Sequence, residues 1–310
     1  MAYKNALLNI PTINIFPISD LPTLAQRLVL LHSNPQQLIQ SNKMMLDLWQ
    51  DSTVQAECLM SLCSNRKEAM IRAVECTKVS VLEHLMNDAD VDDVRGALYV
   101  AAKIDAVECA KVLLRFQDPR IFNDEDPEYS ESSLYSFERN VEIKVRDEYR
   151  WDGFQGRFLP IHMAAGEGSS GVLSLLIEQP DIDLLAKAND ECNALHYACK
   201  KGMTKCLKVL LDLERFDVND QESHYEGWTP LHLAVKFSSV PCVQLLLRVQ
   251  GINVNARGFY HDTPLDTAID RFQRYIYGLE GDDTKLRKTH GSDRWIIEAL
   301  IGAGGTHRFG

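Results

Sequence analysis

Several things are missing from this 310-residue sequence, and each absence removes a class of function. No apolar run approaches the ~18 residues that a membrane-crossing helix needs. There is no basic excess: 33 Lys and Arg stand against 44 Asp and Glu, a net charge of −11. Binding of nucleic acid or an anionic membrane through bulk electrostatics is therefore not expected. The basic groups Lys200, Lys201, Lys205 and Lys208, and Lys285, Arg287 and Lys288, read as solvated helix faces. None of the eight cysteines forms a C-x-x-C pair, and their irregular spacing points to reduced thiols of a cytoplasmic protein. The N-terminus has no basic segment leading into a long apolar stretch, so no secretory signal is expected there. H-E-x-x-H, P-loop, G-x-S-x-G and zinc-ligand spacings are all absent, so no catalytic residue, metal or cofactor is expected. Gly166-Glu167-Gly168-Ser169-Ser170-Gly171 matches G-x-G-x-x-G in letters. The dinucleotide fingerprint needs a strand before it, however, and here a helical pattern over Ile161 to Ala165 comes first.

What the sequence does have is one phrase written four times: Leu159-Pro160-Ile161-His162-Met163-Ala164, Asn193-Ala194-Leu195-His196-Tyr197-Ala198, Thr229-Pro230-Leu231-His232-Leu233-Ala234 and Thr263-Pro264-Leu265-Asp266-Thr267-Ala268. The closing alanines are 34, 36 and 34 residues apart. Leucine-rich runs follow the first three copies: Leu175-Leu176-Ile177, Leu210-Leu211 and Leu245-Leu246-Leu247. Thr before Pro suits a helix start, because the hydroxyl caps the first turn and Pro at the first helical position gives up no needed donor. Small alanines allow close approach of neighbouring units, and the leucines supply a core that only stacking can bury. The pattern resembles the ankyrin repeat, a turn plus two antiparallel helices with a T-P-L-H-x-A signature and a period of about 33. The resemblance implies an all-α ankyrin-repeat solenoid with short β-turn loops, in which His162, His196 and His232 bond backbone near the turns.

Two fainter copies come earlier, at Ala97-Leu98-Tyr99-Val100-Ala101 with Val112-Leu113-Leu114, and at Ala69-Met70-Ile71-Arg72-Ala73 with Val81 to Leu85. This makes about six repeats, near 66–95, 96–157, 158–191, 192–227, 228–261 and 262–305, forming an array over 66–310. Insertions are expected at about 118–157 and 272–293. The first is acidic over Asn123 to Glu131, and its alternation of Val141, Ile143 and Val145 with Glu142, Lys144 and Arg146 predicts a strand or short hairpin. In the last repeat the first helix is expected to run on to Tyr275 or Tyr277, ahead of a loop at Gly281-Asp282-Asp283. Residues 1–65 lack the signature. Leu24, Leu28 and Leu31, then Leu38, Met45, Leu46 and Trp49, then Val54, Cys58, Leu59 and Leu62 mark three helices of an N-terminal cap.

The resemblance implies a non-enzymatic protein–protein interaction module that holds a protein partner on its concave surface, with no nucleic acid or membrane involved and the chain acting as a monomer. Mapping the repeat onto the sequence places Phe154 and Phe158 in one projecting loop and Asn189, Asp190 and Cys192 in the next. Tyr225, Glu226 and Trp228 follow, then Phe259, Tyr260 and Asp262, with Lys200, Lys201, Lys236, Phe237, Asp270 and Arg271 on the adjoining helices. Aromatics and arginine dominate interface hot spots, so these residues are the candidate partner-binding set. Leu211 to Asn219 resembles the ankyrin segment whose asparagine is hydroxylated, which makes Asn219 a candidate hydroxylation site. Degenerate outer repeats and insertions are similar to ankyrin effectors that bacteria or viruses use in host cytosol. The alternative is an enzyme with its active site between the cap and the 118–157 insertion, drawing on Cys58 and His84.

Overall fold

A computed structural model describes residues 51–124, 158–188, 190–222, 226–276 and 283–307. The two cap helices expected before residue 51, the strand or hairpin expected at 141–146, and Phe154, Asn189 and Tyr225 lie outside the described residues. The helices are α1 (Ser52–Leu62), α2 (Arg66–Glu75), α3 (Val79–Leu85), α4 (Val91–Ile104), α5 (Val107–Leu113), α6 (Arg120–Asn123), α7 (Pro160–Glu167), α8 (Ser170–Ile177), α9 (Ala194–Lys201), α10 (Thr204–Leu211), α11 (Pro230–Lys236), α12 (Val240–Leu246), α13 (Pro264–Ile276) and α14 (Asp283–Gly302).

The starts and stops follow from the residues. Asn193 and Thr229 occupy the positions before α9 and α11, and their side chains accept the exposed backbone N–H groups of the first turn. Pro160, Pro230 and Pro264 each open a helix, where the missing N–H costs nothing. Gly168 and Gly202 end α7 and α9 in left-handed conformations, with φ of 85° and 74°. The letters that matched a dinucleotide fingerprint are therefore the turn between the two helices of one repeat.

The helices pair and stack as two layers. In the first layer α2, α4, α7, α9, α11 and α13 lie side by side, and in the second α3, α5, α8, α10, α12 and α14 do the same. These six pairs are the six repeats. Helix α1 packs mainly on α3, taking a second-layer place ahead of the first pair. Ala164, Ala198, Ala234 and Ala268 are buried where first-layer helices meet, while Leu176, Leu210 and Leu246 are wholly buried in the second layer. No repeat covers its own apolar face; each is completed by its neighbours.

The insertion expected from residue 118 begins later, because the chain stays packed through α6. Ile121 and Phe122 are buried, and the buried Arg95 donates to Arg120 O at 3.2 Å and to Asp92 Oδ1 at 2.9 Å. Helix α13 runs to Ile276, in keeping with its expected length, and α14 already starts at Asp283.

Candidate partner-binding surface

Two sets of side chains fix the turns that a partner would meet. In the first, each signature histidine spans a repeat boundary. His162 Nδ1 accepts the Leu159 N–H at 3.0 Å, and its Nε2 donates to Ala186 O at 2.9 Å. His232 accepts from Thr229 N at 3.2 Å and reaches Asp262 O at 3.3 Å, while His196 reaches Asp220 O at 3.0 Å. Accepting at Nδ1 while donating at Nε2 requires the neutral ring. Burial pushes the His196 and His232 pKa values down, against the opposing pull of Asp220 and Asp262 respectively. In the sixth repeat Asp266 takes this place: its Oδ2 accepts the Thr263 N–H at 2.8 Å, and its Oδ1 lies 3.2 Å from His307 Nε2.

The second set is a ladder of asparagines. Asn123 donates to Asp181 O at 2.7 Å and accepts from Asp183 N at 3.0 Å. Asn219 does the same to Gly251 O at 2.9 Å and Asn253 N at 2.7 Å, and Asn255 to Gly304 O at 3.0 Å and Thr306 N at 2.7 Å. Between Asn123 and Asn219 one rung is missing, since the corresponding residue is the exposed Leu185. There Lys187 and Asp220 are paired instead, at 3.0 Å. Sequence reasoning overlooked Asn123 and Asn255 as rungs. The signal was available: Phe122-Asn123 follows Leu114 much as Val218-Asn219 follows Leu211.

Several expected partner-facing residues prove to be internal. Phe158 is buried, packed edge-on to Tyr197 with ring centroids 5.2 Å apart, and its carbonyl accepts the Tyr99 hydroxyl. Asp190 is buried and accepts the Tyr197 hydroxyl at 3.0 Å and the Cys192 N–H at 3.1 Å, with Lys200 3.5 Å away. Cys192 is likewise buried. Arg271 is turned inward as a strut: it donates to Lys236 O at 2.6 Å and pairs at 3.1 Å with Asp293, which is buried and also takes the Ser238 hydroxyl. These residues shape the surface from beneath. Lys200 is also largely covered, its ammonium 5.5 Å from the Tyr197 ring centre.

The remainder converge at the fifth and sixth repeats. Trp228 is half-buried, with its Nε1–H donated to Asp262 Oδ2 at 3.0 Å and Lys236 Nζ 5.3 Å from its ring centre. The buried Glu222 accepts the Glu226 and Trp228 N–H groups, both at 3.0 Å. Burial raises the Glu226 pKa, nearby Asp262 and Glu222 push the same way, and Lys236 opposes them. Phe237, Phe259 and Tyr260 stand out at 50%, 55% and 69% exposure, and Lys201 and Asp270 are exposed as well. Asn219 is half-buried, with both ends of its amide engaged in the ladder. The seven described cysteines are free thiols, and burial raises Cys206 to about 11 and Cys192 and Cys199 well up. Among the described residues no His, Cys, Asp and Glu group is arranged to hold a metal ion, and no helix is long and apolar enough to cross a membrane.

Two stacked helical layers with turns tied across each boundary define a repeat solenoid, a class whose extended concave faces serve binding. Residues 160–271 match the family model described as ankyrin repeats, in three copies, so this part of the chain is an ankyrin-repeat array. Cortactin-binding protein 2 of Rattus norvegicus is 35% identical over 77 residues, 24% of this chain and 4% of that protein. Alpha-latrotoxin-Lh1a of Latrodectus hasselti is 32% identical over 76 residues, 24% of this chain and 5% of that protein. The match thus spans only a small fraction of either relative's length. Ankyrin repeats are in general protein–protein interaction modules, and typically not enzymes.

Proposed function

We propose that the chain is a non-catalytic binding protein that docks a protein partner on the concave face of its repeats. The observation that carries this reading is the exposed pair Phe259 and Tyr260, on a turn fixed by backbone bonds beside half-buried Trp228, with exposed Phe237 at the end of α11 in the same repeat. Such side chains bury large areas at modest entropic cost. Glu226, whose carbonyl accepts the Phe259 N–H, adds a charge beside these rings that would orient the partner. A monomer in a reducing cytosol fits the buried free thiols, and action in a host cell rests on the resemblance alone. The enzymatic alternative draws less support. His84 uses one ring nitrogen on Ser80 O at 2.9 Å and the other on the Thr53 hydroxyl at 3.1 Å, as a structural histidine does.

The test is affinity capture from cytosolic lysate with native chain and with a Phe237→Ala, Phe259→Ala, Tyr260→Ala variant, after circular dichroism shows equal helicity. A partner held by the native chain and lost by the variant is expected. Equal capture by both would move the site off this face.

A further inference from the structure

We propose that the tips of the fifth and sixth repeats seat an arginine-bearing, basic segment of the protein partner, packed on Phe259 and Tyr260 and paired with Glu226. This rests on the concave-face reading above and adds the chemistry of the partner to it. All of the exposed large aromatics among the described residues, Phe237, Phe259 and Tyr260, belong to these two repeats.

Their turn is built in advance. Gly258 N donates to Asp262 O at 2.9 Å, His261 N to Gly258 O at 3.0 Å, and Phe259 N to Glu226 O in the preceding turn at 2.6 Å. The Phe259 ring lies over Gly227, where an added Cβ would come within 2.6 Å of its Cδ1. Little freedom is left to lose when a partner arrives, and such preorganisation favours affinity.

Charge selects the occupant. Glu226 and Asp262 flank Trp228, and Lys236, drawn over the indole, opposes the charge of Glu226. Asp262 Oδ1 is buried and accepts no hydrogen bond, and neither Glu226 nor Asp262 is in an ion pair among the described residues. The neighbouring cations are spent elsewhere, Lys200 on Asp190 and Arg271 on Asp293. Among the described residues, Glu226 and Asp262 thus contribute negative charge that no ion pair balances. A guanidinium fits better than an ammonium, because it stacks flat on an aromatic face while pairing with a carboxylate through two N–H groups.

The experiment is selection of short random-sequence peptides on the full chain, repeated with Glu226→Gln and with Phe259→Ala plus Tyr260→Ala. Each variant is first shown to melt like the native chain, and Tyr260→Ser alone replaces the double variant if that one does not. Peptides selected on the native chain are expected to be enriched about tenfold in arginine at one position. Glu226→Gln should remove that enrichment while still retaining peptides, and the double variant should retain few. Peptides that depend on Phe259 and Tyr260 without basic enrichment would overturn the arginine assignment and leave the concave-face reading standing. Selected peptides indifferent to every variant would overturn both, and a selection that yields nothing would overturn this proposal.

Discussion

The histidine that bridges each repeat boundary can be tested by giving the fifth repeat the residue the sixth one uses. In His232→Asp the new carboxylate can still accept the Thr229 N–H, as Asp266 accepts that of Thr263 at 2.8 Å. It has no hydrogen to offer Asp262 O, which His232 Nε2 now reaches at 3.3 Å. It also lacks the counterpart of His307, which lies 3.2 Å from Asp266. Asp262 O keeps the Gly258 N–H at 2.9 Å, so losing the histidine bond costs about 1 kcal/mol, and a buried carboxylate without its partner adds more, for a total of about 3–5 kcal/mol at neutral pH. The pH response should also differ. The folded-state pKa of native His232 lies below its usual 6.5, so near and below that pH the unfolded chain binds more protons. Stability is complete above pH 6.5 and is lost as the pH falls beneath it. The aspartate variant has one such histidine fewer and gains a carboxylate that burial pushes upward, so acidification should cost it less than it costs the native chain. Urea unfolding followed by circular dichroism at several pH values measures both quantities. A variant as stable as the native protein, or one with the same pH slope, would refute the bridging role.

Three further outcomes follow from the geometry. Asn219→Ala removes two bonds to the next turn, at 2.9 and 2.7 Å, and should cost about 1–2 kcal/mol in urea unfolding, since the freed groups can turn to water. Arg271→Ala leaves buried Asp293 without its cation, which should cost about 3 kcal/mol, and Arg271→Ala with Asp293→Asn should recover part of that loss in a double-mutant cycle. Gly227→Ala meets a φ of 70° and the Phe259 ring at 2.6 Å, so it should destabilise by about 1–2 kcal/mol and change the amide exchange of the 258–262 turn.

The repeat signature made most of the backbone readable. A Thr or Asn cap before α11 and α9, a Pro opening α7 and α11, and a glycine stop after α7 and α9 constrain φ and ψ locally, so these helices could be placed from the residues themselves. Side-chain direction was less legible, because it depends on the neighbouring repeat. Phe158 and Asp190 occupy loop positions in the linear pattern, yet they turn inward because Tyr197 on α9 offers one an aromatic edge and the other a hydroxyl. Arg271 is expected among the partner-binding residues, whereas the acid that claims it, Asp293, lies on α14 beyond the last repeat's insertion. Phe259 and Tyr260, at comparable loop positions, stay exposed.

The skipped rung in the asparagine ladder gives one joint of the solenoid different mechanics from the rest. Where Asn123, Asn219 and Asn255 act, adjoining turns are held by neutral amide bonds that dissolved salt hardly affects. At Leu185 the corresponding joint has instead the partly exposed ion pair of Lys187 and Asp220, which is open to screening, beside the bonds that His196 and Asn193 make to Asp220. Ionic strength therefore acts on one tie of this joint and leaves the others in place. Salt should weaken that one contact by at most about 1 kcal/mol, while the bonds of His196 and Asn193 to Asp220 keep the third and fourth turns together.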